Sequence, residues 1–159
     1  MKQKLFVTAS DTGVGKTVVA TWLAWRLGWN YWKPVQAGLE ECDSSFSSKF
    51  LTAGRIIPER YLLRTPASPH YSAEREGVQI DLSSISTVAE TINGPTVIEG
   101  AGGIYSPLTN SETNLDLIKQ LKVSTALVVS PRLGAINQSL LGFFALQSHH
   151  ISVRAVIFS

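Results

Sequence analysis

The stretch Ala9-Ser10-Asp11-Thr12-Gly13-Val14-Gly15-Lys16-Thr17 decides how this chain is read. A β-rich run, residues 4–8, precedes it. In residues 16–27, which follow, Val19, Ala20, Leu23, Ala24 and Leu27 recur at helical spacing. A glycine-containing loop between a strand and a helix turns successive backbone N–H groups towards one point. The helix start adds positive potential there, so the loop is a cradle for phosphate. Lys16 is placed to neutralise β/γ-phosphate charge, and the Thr17 hydroxyl to ligate Mg²⁺. Gly13, Val14, Gly15, Lys16 and Thr17 are therefore the expected nucleotide contacts. The common pattern G-x-x-x-x-G-K-[ST] has glycine where this chain has Ser10. Ala9 and Ser10 are both small, so close approach to the backbone stays open.

The alternation of strand and helix continues outward from the loop. Gly28 is expected to stop the first helix. Residues 31–35 read as a short strand ended by Pro34, and residues 43–53 as a short helix capped by Asp43. Pro58, Pro66 and Pro69 argue that residues 36–81 make a long excursion outside the sheet, of the kind that serves a site or an interface. Residues 82–92 read as a helix, and 96–98 as a buried strand running into Glu99-Gly100-Ala101-Gly102-Gly103. A helix over 114–121 with Asn114 as cap, a strand over 125–130, a helix over 135–147 and a strand over 153–158 complete the pattern. This predicts an α/β protein with the three-layer P-loop NTPase fold: a mostly parallel central sheet, helices on both faces, and residues 1–159 as one domain. Right-handed crossovers gather the loops after the strands along one edge, where ligands bind. Asp11 stands where partition-type ATPases carry an additional lysine, which sets that class aside.

Composition narrows the function classes. Hydrophobic residues at 44% and charged residues at 16% describe an ordinary globular chain. A net charge of +2 from scattered basic residues gives no case for nucleic acid. Apolar runs of about 5–8 residues are too short to span a membrane. The single cysteine, Cys42, cannot form an internal disulfide, and the N-terminus has no signal-peptide shape. A cytoplasmic protein is expected. The early tryptophans, Trp22, Trp25, Trp29 and Trp32, read as packing residues, and His149 and His150 as a solvated helix end.

Five segments together resemble the dethiobiotin synthetases. They are Phe6-Val7-Thr8 with the phosphate loop; Tyr31-Trp32-Lys33-Pro34-Val35-Gln36; Ser68-Pro69-His70 with Ala73–Gly77 behind it; Val97-Ile98-Glu99-Gly100-Ala101-Gly102-Gly103 with Pro107-Leu108; and Leu133-Gly134-Ala135-Ile136-Asn137. They occur in the family's order through nearly the whole chain. The resemblance implies an ATP-dependent cyclo-ligase of biotin biosynthesis, with ATP as co-substrate and Mg²⁺ as cofactor. Diaminopelargonic acid and CO₂ form a carbamate, ATP phosphorylates it, and the second amine closes the ureido ring of dethiobiotin. It further implies Lys33 and Lys16 as catalytic residues and Thr17, Asp43 and Glu99 as metal ligands. Gly100, Ala101 and Gly102 are implied as further nucleotide contacts. Thr12, Lys33, Ala37, Gly102, Ala135 and Asn137 are implied on the substrate, the last two across a homodimer interface. Charge supports this on its own terms, since a carbamate and a γ-phosphoryl group are both anionic and need cations where they meet.

The chain also departs from the family. Ala9 stands where glycine is usual, Ala37 replaces a hydroxyl residue, and Gln138 replaces a common histidine. Family members continue for several tens of residues past the last strand, where an asparagine and later segments read the base. Here Ser159 is the last residue, which implies a shortened base pocket or a truncated chain. A shortened pocket would discriminate weakly among nucleoside triphosphates. Two other functions stay open at this level: a non-catalytic or regulatory nucleotide-binding module, favoured by Ala37, and an amidotransferase-type relative acting on cofactor precursors.

Overall fold

In the computed structural model, residues 3–40 and 42–159 are described. In chain order the elements are β1 (Lys4–Ala9), α1 (Lys16–Leu27), β2 (Asn30–Trp32), β3 (Val35–Ala37), α2 (Asp43–Ser47), β4 (Ile56–Ile57) and β5 (Tyr61–Leu63). There follow α3 (Pro69–Glu76), α4 (Leu82–Thr91), β6 (Thr96–Glu99), α5 (Asn114–Leu121), β7 (Ser124–Val129), α6 (Ala135–Ser148) and β8 (Val153–Phe158). Six strands form one parallel sheet in the order β4-β2-β6-β1-β7-β8. A parallel sheet needs cover on both faces, and alternate residues of each strand supply it. Phe6, Trp32, Ile98, Leu127 and Val129 pack with Leu82 and Ile85 of α4, Leu117 and Ile118 of α5 and Leu146 of α6. Their neighbours Val7, Tyr31, Val97, Ala126 and Val128 face Val19, Ala20 and Ala24 of α1. The expected α/β class and parallel sheet are what the chain forms. Among the described residues, no helix is long and apolar enough to cross a membrane.

The departures from expectation fall in the middle of the chain, and each has a local cause. The strand over 31–35 is broken: the ladder with β6 ends at Trp32, and Val35 restarts in a separate two-stranded sheet with β5. Pro34 lacks an N–H and cannot extend a central ladder, so Lys33 is released at the sheet edge. The middle segment is not wholly outside the sheet, because Ile56-Ile57 pairs with Tyr31-Trp32 as an edge strand. The helix expected over 43–53 stops at Ser47, and Cys42 rather than Asp43 holds its N-cap position. At α5 the cap is Thr113, in a reciprocal capping box with Asp116, and not Asn114. The unexpected helix is α3, with Ser68 as N-cap, Pro69 in the first turn and Gly77 in the left-handed C-terminal position. That Pro-first, Gly-last asymmetry is a helix signature that the count of prolines obscured.

Candidate functional site

β1 delivers the phosphate loop at the strand's carboxyl end. Ala9 is the last residue of that strand and is fully buried, and neither it nor Ser10 has positive φ. Glycine is therefore not required at either position, which explains how the loop tolerates the two departures. The left-handed positions are Gly13 (φ 72°) and Gly15 (φ 89°), with α1 starting directly after. L side chains rarely adopt these angles, so glycine there is demanded by the backbone. The loop is tied down at two places. Ser10 N–H donates to Val128 O (3.1 Å), and Asp11 pairs with Arg132 (2.8 Å), which follows β7. The Thr12 N–H and the Arg132 guanidinium hold the Asp11 carboxyl below the usual carboxylate range.

β6 runs beside β1 and ends on Glu99, and the small residues after it have a steric reason. Gly100 N–H donates to Val7 O and Ile104 N–H to Ala9 O, so the loop lies along the end of β1. Asn114, wholly buried, donates its side-chain N–H groups to Ala101 O (2.6 Å) and Gly103 O (2.8 Å). Asn114 is thus a brace for this loop. The reading as a cap missed it, although Thr113-x-x-Asp116 carried the true capping signal.

The ionisable residues meet between these two loops. Thr17 Oγ1 lies 2.9 Å from Asp43 Oδ1 and 2.8 Å from Glu99 Oε1, with one hydroxyl proton to donate to either carboxylate. Lys33 forms an ion pair with Asp43 and lies 3.6 Å from Glu99 Oε1. Gln36 Oε1 accepts from the Asp43 backbone N–H (3.3 Å), which sets the start of α2. Tyr31, unanticipated from sequence, donates its hydroxyl to Glu99 Oε2 at 2.7 Å. Three hard oxygen donors, from Thr17, Asp43 and Glu99, thus converge beside the phosphate loop. That set fits Mg²⁺, which takes one or two carboxylates and completes its shell with phosphate oxygens and water. Among the described residues no group of three or more His, Cys, Asp or Glu side chains is placed to hold a metal ion.

Lys16 is buried, with its Nζ 3.4 Å from Asp11 O. Burial lowers its ammonium below the ordinary 10.5; the Glu99 carboxylate opposes that shift, and the nearby Lys33 charge adds to it. A lowered lysine pKa means folding disfavours the charged form, so this group's contribution to stability rises with pH from its folded value up to 10.5. Bound triphosphate should reverse the shift. Nucleotide binding is therefore expected to take up a proton on the alkaline side, below pH 10.5. Calorimetry in two buffers of different ionisation enthalpy measures the uptake; equal heats in both would show that Lys16 does not face the phosphates.

A cavity of ≈ 730 Å³ collects most of the predicted residues. Its walls include Thr12, Gly13, Gly15, Lys16, Thr17, Lys33, Ala37, Asp43, Glu99, Ala101 and Gly102. Pro66, Ala67 and Ser68, from the segment before α3, and Pro69 at its start close one side. Four predicted residues lie elsewhere. The Val14 side chain is in the core under α1, and Gly100 is packed against Phe6 and Asn114. Ala135 and Asn137 are in the first turn of α6, outside this cavity. Gln138 lines a second cavity of ≈ 460 Å³ with Ser10, Thr12 and Gly103, and its buried Oε1 has no partner. A larger cavity, ≈ 1070 Å³, opens at the other end of the sheet around Leu5, Ser124 and Ser152. It touches none of this chemistry.

Comparison with known proteins agrees with this geometry. Residues 3–159 match a family model described as an AAA domain. The fold is shared with a ParA family ATPase from Chlorobium tepidum (TM-score 0.58, 11% identity, 99% of this chain and 73% of that one). It is also shared with the MinC:MinD cell division protein complex of Aquifex aeolicus (TM-score 0.54, 12% identity, 97% and 68%). Sequence similarity is far greater to proteins named ATP-dependent dethiobiotin synthetase BioD. The Bradyrhizobium diazoefficiens protein is 45% identical, covering 99% of this chain and 76% of its own length. The Rhodopseudomonas palustris (strain TIE-1) protein is 44% identical (99% and 75%), and that of Brucella ovis 43% (99% and 75%). The phosphate loop, the paired lysines and the buried carboxylate thus sit in a chain that belongs to the ATP-dependent dethiobiotin synthetase family.

Proposed function

We propose that this protein is a dethiobiotin synthetase, closing the ureido ring from diaminopelargonic acid, CO₂ and ATP in the cytoplasm. The observation that carries the reading is the convergence of Lys16 and Lys33 on one cavity with Thr17, Asp43 and Glu99. Lys16 and the loop N–H groups hold the triphosphate. Mg²⁺ held by Thr17, Asp43 and Glu99 would screen charge on the β- and γ-phosphates. One amine of the diamine adds to CO₂ and loses a proton, giving a carbamate. A carbamate oxygen attacks the γ-phosphorus and ADP departs. The second amine then attacks the carbonyl carbon, the C–O bond to phosphate breaks, and the new C–N nitrogen loses its proton to solvent as phosphate leaves and the ring closes. Lys33 faces this sequence from the substrate side, where its ammonium offsets charge on the carbamate and the transferring phosphoryl group. Thr12, Ala37 and Gly102 line the same wall and are the proposed substrate contacts. Gly13 to Thr17, with Ala101 and Gly102, are the proposed nucleotide contacts.

Ala135 and Asn137 serve the substrate in this proposal only across a homodimer. The surface of α6 supports that arrangement: Ile136, Leu140, Leu141 and Phe144 are exposed, and Leu133 before it is fully so. An apolar stripe of this kind is the usual mark of a subunit interface. Leu141→Glu combined with Phe144→Glu is expected to convert a dimer to monomer in light scattering and to raise KM for the diamine at least tenfold. Mg-ATP affinity should be unchanged. A wild-type protein that is monomeric at assay concentration would remove this part of the proposal.

The deciding experiment is a product assay. Purified protein with diaminopelargonic acid, bicarbonate and Mg-ATP should yield dethiobiotin by mass spectrometry, with one ADP per ring closed. Mg-ATP binding without product would reject the enzyme and favour a nucleotide-binding module.

A further inference from the structure

Glu99 is 1% exposed, and its two oxygens are treated differently by the fold. Oε1 points to the Thr17 hydroxyl and to Lys33, on the cavity side. Oε2 accepts a hydrogen bond from the Tyr31 hydroxyl. Tyr31 itself is fully buried on β2, the strand adjacent to β6, and its register partner there is Val97, two residues before Glu99. Residues two apart on a strand share a face, so the phenol reaches along that face to the carboxylate at the strand end. Around it lies a buried polar belt. Ser47 and Thr21 share a 2.7 Å hydroxyl–hydroxyl hydrogen bond, and Ser47 Oγ also donates to Asp43 O at 2.9 Å. Thr21 belongs to α1, one turn beyond Thr17, and Ser47 to α2, one turn beyond Asp43. Two elements that carry the site, α1 and α2, are thereby joined beneath it.

We infer that Tyr31 is a positioning residue for the metal site, holding the Oε2 atom of Glu99 so that Oε1 alone is presented beside Thr17 and Asp43. The inference rests on the reading of Glu99 as a metal ligand. A buried carboxylate with one free rotor would otherwise turn, exposing either oxygen or both to the cavity. A donor fixed by a rigid aromatic ring on the neighbouring strand removes that freedom before any ligand arrives. The phenol is suited to the task because a neutral tyrosine hydroxyl has a proton to donate to a carboxylate oxygen.

Tyr31→Phe removes only the hydroxyl and keeps the ring that fills the core. With ATP bound, the variant is expected to bind Mn²⁺, followed by its electron paramagnetic resonance signal, about tenfold more weakly than wild type. The Mg²⁺ concentration for half-maximal turnover should rise by the same factor, while kcat at saturating Mg²⁺ stays within about threefold. A purely structural hydroxyl would lower the melting temperature and leave both metal constants unmoved, and that result overturns the inference. Glu99→Gln run in parallel separates the two levels. If Glu99→Gln weakens Mn²⁺ and Tyr31→Phe does not, the positioning role alone is wrong. If neither weakens it, the metal role of Glu99 fails and the inference with it. Should Tyr31→Phe not fold, Ser47→Ala replaces it with a smaller expected loss, about threefold in Mn²⁺ affinity; no change would count against the inference.

Discussion

Lys33→Ala is expected to lower turnover by about 10²–10³-fold, the usual cost of removing one preorganised group that stabilises charge in a transition state. The substitution takes away an ammonium that is buried, lies 3.6 Å from Glu99 and lines the cavity next to Lys16. Nothing else on the substrate side of that cavity carries positive charge among the described residues that line it. Lys16 cannot stand in, because it is anchored at the phosphate loop by a different strand. Mg-ATP affinity should change by no more than about threefold, since the loop N–H groups and Lys16 are untouched. Single-turnover measurement of ring closure, beside fluorescence titration of a nucleotide analogue, separates the two quantities. Turnover within tenfold of wild type would show that Lys33 is a counter-ion to Asp43 and no more.

Gly100→Ala is expected to destabilise the protein by about 2–3 kcal/mol, the range for forcing an extra methyl into a packed interior. An added Cβ would lie 2.7 Å from Phe6 Cε1, 3.1 Å from Phe6 Cζ and 3.2 Å from Asn114 Oδ1. Phe6 is fully buried at the centre of the sheet and Asn114 is pinned by two hydrogen bonds, so neither neighbour can yield freely. At this chain length such a loss lowers the melting temperature by roughly 4–12 °C. The backbone at Gly100 is not in the left-handed region, so the cost is steric. Phe6→Leu should therefore recover part of it, and the double variant should be more stable than the sum of the two single losses. Strict additivity in thermal denaturation would contradict the contact. This residue was expected to touch nucleotide; the packing assigns it to the join between β6 and β1.

How far the sequence carried the reading depends on the range of the interaction concerned. The phosphate loop was legible because every part of it is local: a strand, two glycines that the backbone requires, a lysine and a threonine in one turn. The parallel sheet was legible too, since short apolar runs such as Val97-Ile98 and Ala126–Val129 alternate with amphipathic helices, and a strand covered on both faces has few alternatives. Lys33 and Asp43 were named as site residues through a family pattern, whereas Glu99 also carried a local signal, a carboxylate at the end of a buried Val97-Ile98 run followed by four small residues.

What the chain order cannot express is which side chains meet after the strands are laid side by side. Tyr31 reads as a core aromatic until β2 pairs with β6 and brings its hydroxyl to Glu99, 68 residues away. Asn114 reads as a helix cap until α5 packs under the loop after β6, where it binds two carbonyls instead. Pro34 reads as the end of a strand; only the separate pairing of β3 with β5 shows that it also frees Lys33 at the sheet edge. Sequence alone determined the phosphate cradle, the fold class and the elements outside the middle of the chain, because those follow from periodicity and backbone geometry within a few residues. Tertiary structure alone decided how the carboxylates are held and aimed, because a buried charge takes its partners from whichever elements the packing brings within hydrogen-bond reach.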